Sequence, residues 1–273
     1  NRQLVSVPLA VLLVALLIIG AVWATTGAPV ALGVEFTGGT EMRIGVDDDN
    51  PRQAIGQAFD TPPSSIQPVA DEDVYIVTFG EGAESGALED QAEAASFDVL
   101  SIDGTSASFG AEAQTQAIGG VIVAFAGMSV LVFAMFRTFV PSIAVVISAF
   151  SDIVVPLALM NVLGIKLTLG SVAALLMIIG YSVDSDILLN NHVLRRQGSF
   201  YESAYRAMET GITMTLTSIA AMLVMTIVAT AFGIGLLSSI GLILVFGLTT
   251  DLLNTYMLNM SLLRWWKFEG VSR

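Results

Sequence analysis

The chain of 273 residues is 54% hydrophobic and only 13% charged, with a mean hydropathy of +0.77, well above the roughly 45–50% apolar share of soluble domains. That composition excludes an ordinary water-soluble globule and points to an integral membrane protein. The absence of cysteine excludes disulfides, thiol catalysis and thiolate-held metals, which leaves carboxylate, hydroxyl and amide chemistry.

Six apolar stretches, 4–24, 116–136, 140–161, 167–189, 212–232 and 235–260, are long enough to cross a hydrocarbon core of roughly 30 Å as helices. The first could also be a cleaved signal peptide, given its basic start and the small residues of "AVWATTGA". Its apolar run exceeds the usual h-region of about 7–15 residues, so a retained helix is expected. With six spans, Arg2, Arg137, Arg195, Arg196, Arg206, Arg264, Lys267 and Arg273 all fall on one side, which the positive-inside rule makes cytoplasmic. Both termini are expected there, and only Arg43, Arg52 and Lys166 lie outside.

Between the first two spans, residues 27–115 are too long for a hairpin loop and predict a domain on the external side. It holds seventeen acidic residues against two arginines and no lysine, a formal charge of −15. Self-repulsion of this size keeps a domain soluble but penalises compactness at low salt, a balance associated with halophiles. A cation-binding or partner-repelling surface is the alternative, although "DDDN" and "DED" lack the spacing of a calcium loop.

Within this domain Met42, Ile44 and Val46 alternate as a strand does, and Ala54, Ile55, Ala58 and Phe59 share a helical face after Pro51. "VYIVTF" (74–79) reads as a second strand, and Leu88, Ala92 and Ala95 as a second short helix. A small α+β domain is expected. The opening "GVEFTGGTEM" lacks the lysine and following helix of a phosphate cradle, so its glycines predict a tight backbone bend. The organisation is then an N-terminal segment and first span (1–26), the acidic domain (27–115), a five-helix bundle (116–263) with a cytoplasmic loop (190–211), and a tail (264–273).

Four aspartates stand within the spans: Asp152, Asp184, Asp186 and Asp251. An intramembrane carboxylate costs at least ~2.5–3.5 kcal/mol near a helix centre on insertion scales, so each must face protein or water. Asp184 and Asp186 are about 200° apart on a helix. Tyr181, Asp184, Leu188 and Asn191 form one stripe, and Ser182, Asp186 and Asn190 the next. These acids either hold the bundle together through hydroxyls such as Thr213, Thr215, Thr217 and Ser218 of the fifth span, or they serve function. Asp184 and Asp251, deep and unpaired, are the functional candidates, with Asp186 balanced between the two readings.

Other features read as structural. His192 is the only histidine and makes no metal site alone, and no metal or cofactor is expected. Asn259-Met-Ser261 matches a glycosylation acceptor by chance. Pro156 and the span glycines permit kinks and close helix approach.

One span, an external domain opening with "GVEFTGGT", then five spans of which the fourth ends "GYSVDSDILLNNHVLRR": over essentially the whole length, this resembles the SecF family, the smaller half of the SecD–SecF auxiliary complex of the protein-secretion channel. Glu35, Phe36, Gly38 and Gly39 are similar to the family's Gly-Ile-Asp-Phe-x-Gly-Gly opening, with glutamate for the usual aspartate. "ILLNNHVLRR" resembles archaeal members, which with the acidic exterior implies a haloarchaeal protein.

The resemblance implies a six-helix bundle of resistance-nodulation-division type. It further implies SecD, the translocon channel, secreted polypeptides and membrane lipid as partners, no nucleic acid, and no enzymatic activity. Bacterial members commonly read Asn-Asp-Thr where this chain has Asp184-Ser185-Asp186, so their aspartate falls on Ser185. Their arginine near the start of the fifth span aligns roughly with Thr213. The expected mechanism is exchange of an ion, proton or sodium, at Asp184 through a polar path between spans four, five and six. Tyr181, Ser182, Ser185, Asn190, Asn191, Thr213 and Thr217 would line that path, with Asp251, Asp186 and Asp152 as further gating candidates. Two alternatives are a small-molecule exporter of the same superfamily and an intramembrane aspartyl protease using Asp184 and Asp251.

Overall fold

A computed structural model describes residues 2–69, 73–195 and 200–268; Asp71, Glu72, Arg196 and Arg273, which entered the charge reading, lie outside them. In chain order the elements are α1 (Arg2–Thr26), α2 (Val34–Thr37), β1 (Gly39–Gly45), α3 (Pro51–Ala58), β2 (Ser65–Pro68), β3 (Val74–Phe79), α4 (Ser85–Ala94), β4 (Asp98–Thr105), α5 (Ala107–Phe136), α6 (Phe139–Leu163), α7 (Leu169–Arg195), α8 (Phe200–Ala231), α9 (Gly235–Leu253), a π-turn (Asn254–Asn259) and α10 (Met260–Phe268). They form two compact units, Leu32–Ile118 and Asn1–Ala31 with Gly119–Arg273. The protein is a polytopic α-helical membrane protein: among the described residues, six helical segments are long and apolar enough to cross a bilayer.

The smaller unit is a four-stranded sheet in the order β2-β3-β1-β4 with every neighbouring pair antiparallel, the split β-α-β-β-α-β arrangement. Met42, Ile44, Ile55 and Val77 are fully enclosed in its core together with Phe79, Leu88 and Ala92, and the Phe59 ring meets Phe79 edge-on at 4.9 Å. The alternation read from Met42, Ile44 and Val46 marks β1, which ends at Gly45. β4 escaped the periodicity because its register with β1 shifts between Arg43 and Ile44. That bulge leaves Leu100 as the extra residue and breaks the alternation of Val99, Leu100 and Ile102. β2 is only four residues long, too short to show a period. The "GVEFTGGT" glycines form the tight bend: Gly38 has φ 77° and Gly39 φ 110°, and a Cβ at Gly38 would stand 2.8 Å from Ala107 Cα.

In the larger unit α6 is the most enclosed helix, packed against α1, α7 and α9. Ile153, Met160, Ala174, Leu175, Ile178, Ile243 and Leu244 form its apolar centre. Close approach depends on glycine, since a Cβ at Gly247 would collide with Ile178. α6 stops at Gly164, left-handed at φ 71°.

Within the expected loop 190–211, α7 runs to Arg195 and α8 starts at Phe200. The reason is packing: Leu189 and Val193 of α7 meet Phe200, Ala204 and Ala207 of α8 and Leu263 of α10 in one apolar cluster. Polar residues such as Glu202 and Arg206, paired at 2.7 Å, occupy the outer face. The expected tail from 264 is likewise helical to Phe268. Lys267 donates to the Val193 carbonyl at 3.1 Å, and the Arg264 guanidinium lies 5.6 Å over the Tyr201 ring.

Candidate functional site

Three helical segments bring carboxyl groups to one buried layer. α6 supplies Asp152, α7 supplies Asp186 and α9 supplies Asp251, with exposures of 0%, 0% and 1%. Ser182 Oγ donates to Asp152 Oδ2 at 2.6 Å, and Asn254 Nδ2 donates to Asp152 Oδ1 at 2.6 Å. Ser185 Oγ lies 2.9 and 3.0 Å from the two oxygens of Asp251. Thr255 Oγ1 lies 2.9 Å from Asp186 Oδ1 and 3.2 Å from Asp251 Oδ1, and Asn259 Nδ2 donates to Asp186 Oδ1 at 2.7 Å. A threonine hydroxyl carries one hydrogen, so Thr255 can donate to one of its two carboxyl neighbours at a time.

Three of the five groups that bond the carboxyls, Asn254, Thr255 and Asn259, lie in the π-turn. Eight residues of regular helix would carry Asn259 about 80° past the face of Asp251. Asn254 and Thr255, three and four residues on, already share the face of Asp251; the i→i+5 turn absorbs one extra residue and returns Asn259 to it, a device frequent at functional sites. On α6, Pro156 has no N–H to give the Asp152 carbonyl four residues earlier, which loosens the helix beside the acid.

The layer is polar but incompletely paired. Asp186 Oδ2, Asn190 Oδ1, Asn259 Oδ1, Ser148 Oγ and Ser151 Oγ are buried without a hydrogen-bond partner among the described residues. Every hydrogen-bond partner found for the three carboxyl groups is a hydroxyl or an amide. Such a layer can accept a proton or bind a cation through oxygen.

Several expected residues sit elsewhere. Asp184 is exposed and does not join the layer: with Asp186 turned inward, about 200° of helical rotation turns Asp184 outward. The buried polar layer lies between spans three, four and six, whereas the expected path was between four, five and six. Thr213 and Thr217 are exposed and donate to carbonyls of their own helix. Tyr181 instead bonds Ser218 across α7 and α8, and Asn191 is half-buried. Ser182, Ser185 and Asn190 are buried, and Asn190 donates to the Asp186 carbonyl at 2.8 Å. Asp184 is exposed whereas Asp251 is buried, so the pair expected of an aspartyl protease does not come together.

His192 Nδ1 stands 2.9 Å from the Leu188 carbonyl. In the smaller unit Phe36 is buried and Glu35 half-buried. Sequence reading passed over Asn254 and Thr255 and dismissed Asn259 as a chance acceptor motif. Their spacing after Asp251, at three, four and eight residues along an otherwise apolar span, is the signal that marks them.

Residues 86–269 match the family model described as "Protein export membrane protein SecD/SecF, C-terminal". The chain is 69% identical over 274 residues to the protein-export membrane protein SecF of Haloferax volcanii, covering 100% of this chain and 95% of that one. It is 64% identical to SecF of Haloquadratum walsbyi, again over 100% of this chain and 95% of that one, and 40% identical to SecF of Methanolacinia petrolearia over 98% and 95%. The crystal structure of SecDF, a translocon-associated membrane protein of Thermus thermophilus, shares the fold with a TM-score of 0.73 at 21% identity, over 96% of this chain and 37% of that one. These relatives support the export reading and neither the exporter nor the protease alternative. The chain belongs to the SecF family of protein-export membrane proteins.

Proposed function

We propose that the chain is the SecF-type auxiliary subunit of the Sec translocase, acting with SecD to promote export or release of secreted polypeptides across the cytoplasmic membrane. An ion entering the Asp152–Asp186–Asp251 layer drives that work. The observation that carries the proposal is the layer itself: three enclosed carboxyl groups on three helical segments, Asp186 and Asp251 bridged by Thr255, with every hydrogen-bond partner among the described residues a hydroxyl or an amide. Intramembrane acids of this kind mark ion pathways. A proton or alkali cation arriving at the layer changes its charge and so biases the bundle between two arrangements. The one-sided distribution of arginine and lysine supports cytoplasmic termini and an external position for residues 27–115.

The test is Asp251→Asn in the native host, followed by export of a secreted reporter. Export should fall by at least about tenfold, equivalent to a 1.4 kcal/mol penalty, with the protein still inserted and still co-purifying with its partner. Undiminished export would overturn the proposal.

A further inference from the structure

The three buried carboxyl groups are not served alike. Asp152 and Asp251 have both oxygens met by hydroxyl or amide donors. Asp186 has donors at Oδ1, whereas its Oδ2 has no partner among the described residues. That oxygen is not alone. Asn259 gives its amide nitrogen to Asp186 Oδ1, which carries Asn259 Oδ1, itself without a donor, to the same carboxyl group. Asn190, one turn after Asp186 on α7, gives its nitrogen to the Asp186 carbonyl and likewise leaves its oxygen without a donor. Flipping either amide would set its oxygen against another acceptor, so these bonds fix both orientations. Ser148 of α6 stands beside Asp186, and its hydroxyl makes no hydrogen bond among the described residues. All four residues are fully enclosed, at 0% exposure.

We infer that the oxygens around Asp186 form a binding site for a dehydrated alkali cation, with Asp186 Oδ2, Asn190 Oδ1, Asn259 Oδ1 and Ser148 Oγ as its ligands. Buried acceptors without donors are costly, and here they gather at one of the three acids and not at the other two. A proton on Asp186 Oδ2 would be donated to one amide oxygen and leave the other unpaired, whereas one cation satisfies them all. The ligand set also selects the charge of the ion. One carboxylate with three neutral oxygens balances a single positive charge, and among the described residues no group of three or more acidic, histidine or cysteine side chains could hold a metal, as a calcium site built from several carboxylates would. The inference rests on the reading that a proton or alkali cation enters the layer, and it chooses the cation and the acid that receives it.

The test moves the full chain in detergent from choline chloride into sodium chloride at a constant total of about 1 M, so that screening of the acidic domain does not change, and follows the unfolding midpoint. Choline carries the same charge as sodium and is too large for an enclosed site. The midpoint should rise with sodium and saturate, as it does for a ligand that binds only the folded chain. Asp186→Asn removes the negative ligand and should raise the half-saturating sodium concentration at least about tenfold. Ser148→Ala breaks no hydrogen bond, should fold as the parent does, and should raise that concentration at least about threefold. Thr213→Val, on the exposed face of α8, should leave it unchanged. No saturating response in the parent, or an unaltered response in Ser148→Ala and Asp186→Asn, would overturn the inference. Should Asp186→Asn fail to accumulate, Ser148→Ala decides alone. Failure here with export still lost in Asp251→Asn would leave the proton as the ion of the export reading. Sodium binding with undiminished export in Asp251→Asn would overturn that reading and keep the site.

Discussion

Asn254 is the residue on which Asp152 depends most directly. Its amide donates to one oxygen of a fully enclosed carboxyl group while Ser182 serves the other. Asn254→Leu would strip a buried acceptor of its donor and should lower stability by about 1–2 kcal/mol, allowing for the modest values found in membrane interiors. Thr213→Val should change it by less than about 0.5 kcal/mol, since Thr213 is exposed and donates only within its own helix. Equilibrium unfolding in detergent would compare them. The same contrast explains what the sequence left open. In water the polar face of a helix marks its outside, but in lipid both faces are apolar and that marker is silent. The chain thus announced four costly acids without announcing which way each turned. Asp186 and Asp184 were separable only as opposite faces, and the inward one is fixed by Asn259 and Thr255, which lie more than sixty residues away along the chain.

The π-turn Asn254–Asn259 gives the same lesson at the scale of an element. Periodicity treats 235–260 as a single helix, and nothing in the apolar run betrays one surplus residue. The surplus shows only when Asp251, Asn259 and the buried Leu263 must all face inward. A π-turn is one residue more than a regular helix needs between fixed ends, which makes it a place where a residue can be lost. Deletion of half-buried Met257 should therefore leave α9 and α10 in register and the protein folded. Deletion of Leu248, which is 2% exposed within α9, should rotate everything after it by about 100°, drive Asp251 off the layer and prevent accumulation in the membrane. Yields and monodispersity of the two deletion proteins would decide. Equal failure of both would mean that the extra residue is structurally indispensable.

Across the whole molecule charge is divided as sharply as polarity. The bundle carries few charged side chains, whereas residues 27–115 hold a formal −15 in a stretch whose described part is a sheet and three short helices around a core of nine enclosed residues. That division was legible from composition alone, because it needs no knowledge of side-chain direction. It fits relatives drawn from the haloarchaea Haloferax volcanii and Haloquadratum walsbyi. Repulsion among exposed carboxylates reaches about 10 Å at 0.1 M salt and about 3 Å at 1 M, so molar salt confines it to immediate neighbours. Asp47, Asp48 and Asp49 are adjacent and exposed, yet they are not equivalent: Asp48 Oδ1 accepts the Asn50 N–H at 2.7 Å just before α3, and Asp47 and Asp49 have no such role. The double substitution Asp47→Asn, Asp49→Asn should raise the unfolding midpoint of the full chain at 0.1 M KCl and leave it unchanged at about 3 M, where the charges are already screened. Asp48→Asn should gain less at low salt because it weakens the turn that starts the helix. Near-ultraviolet circular dichroism of the detergent-solubilised protein across that salt range would measure all three. An equal gain at both salt concentrations would show that the acidic surface acts through something other than self-repulsion.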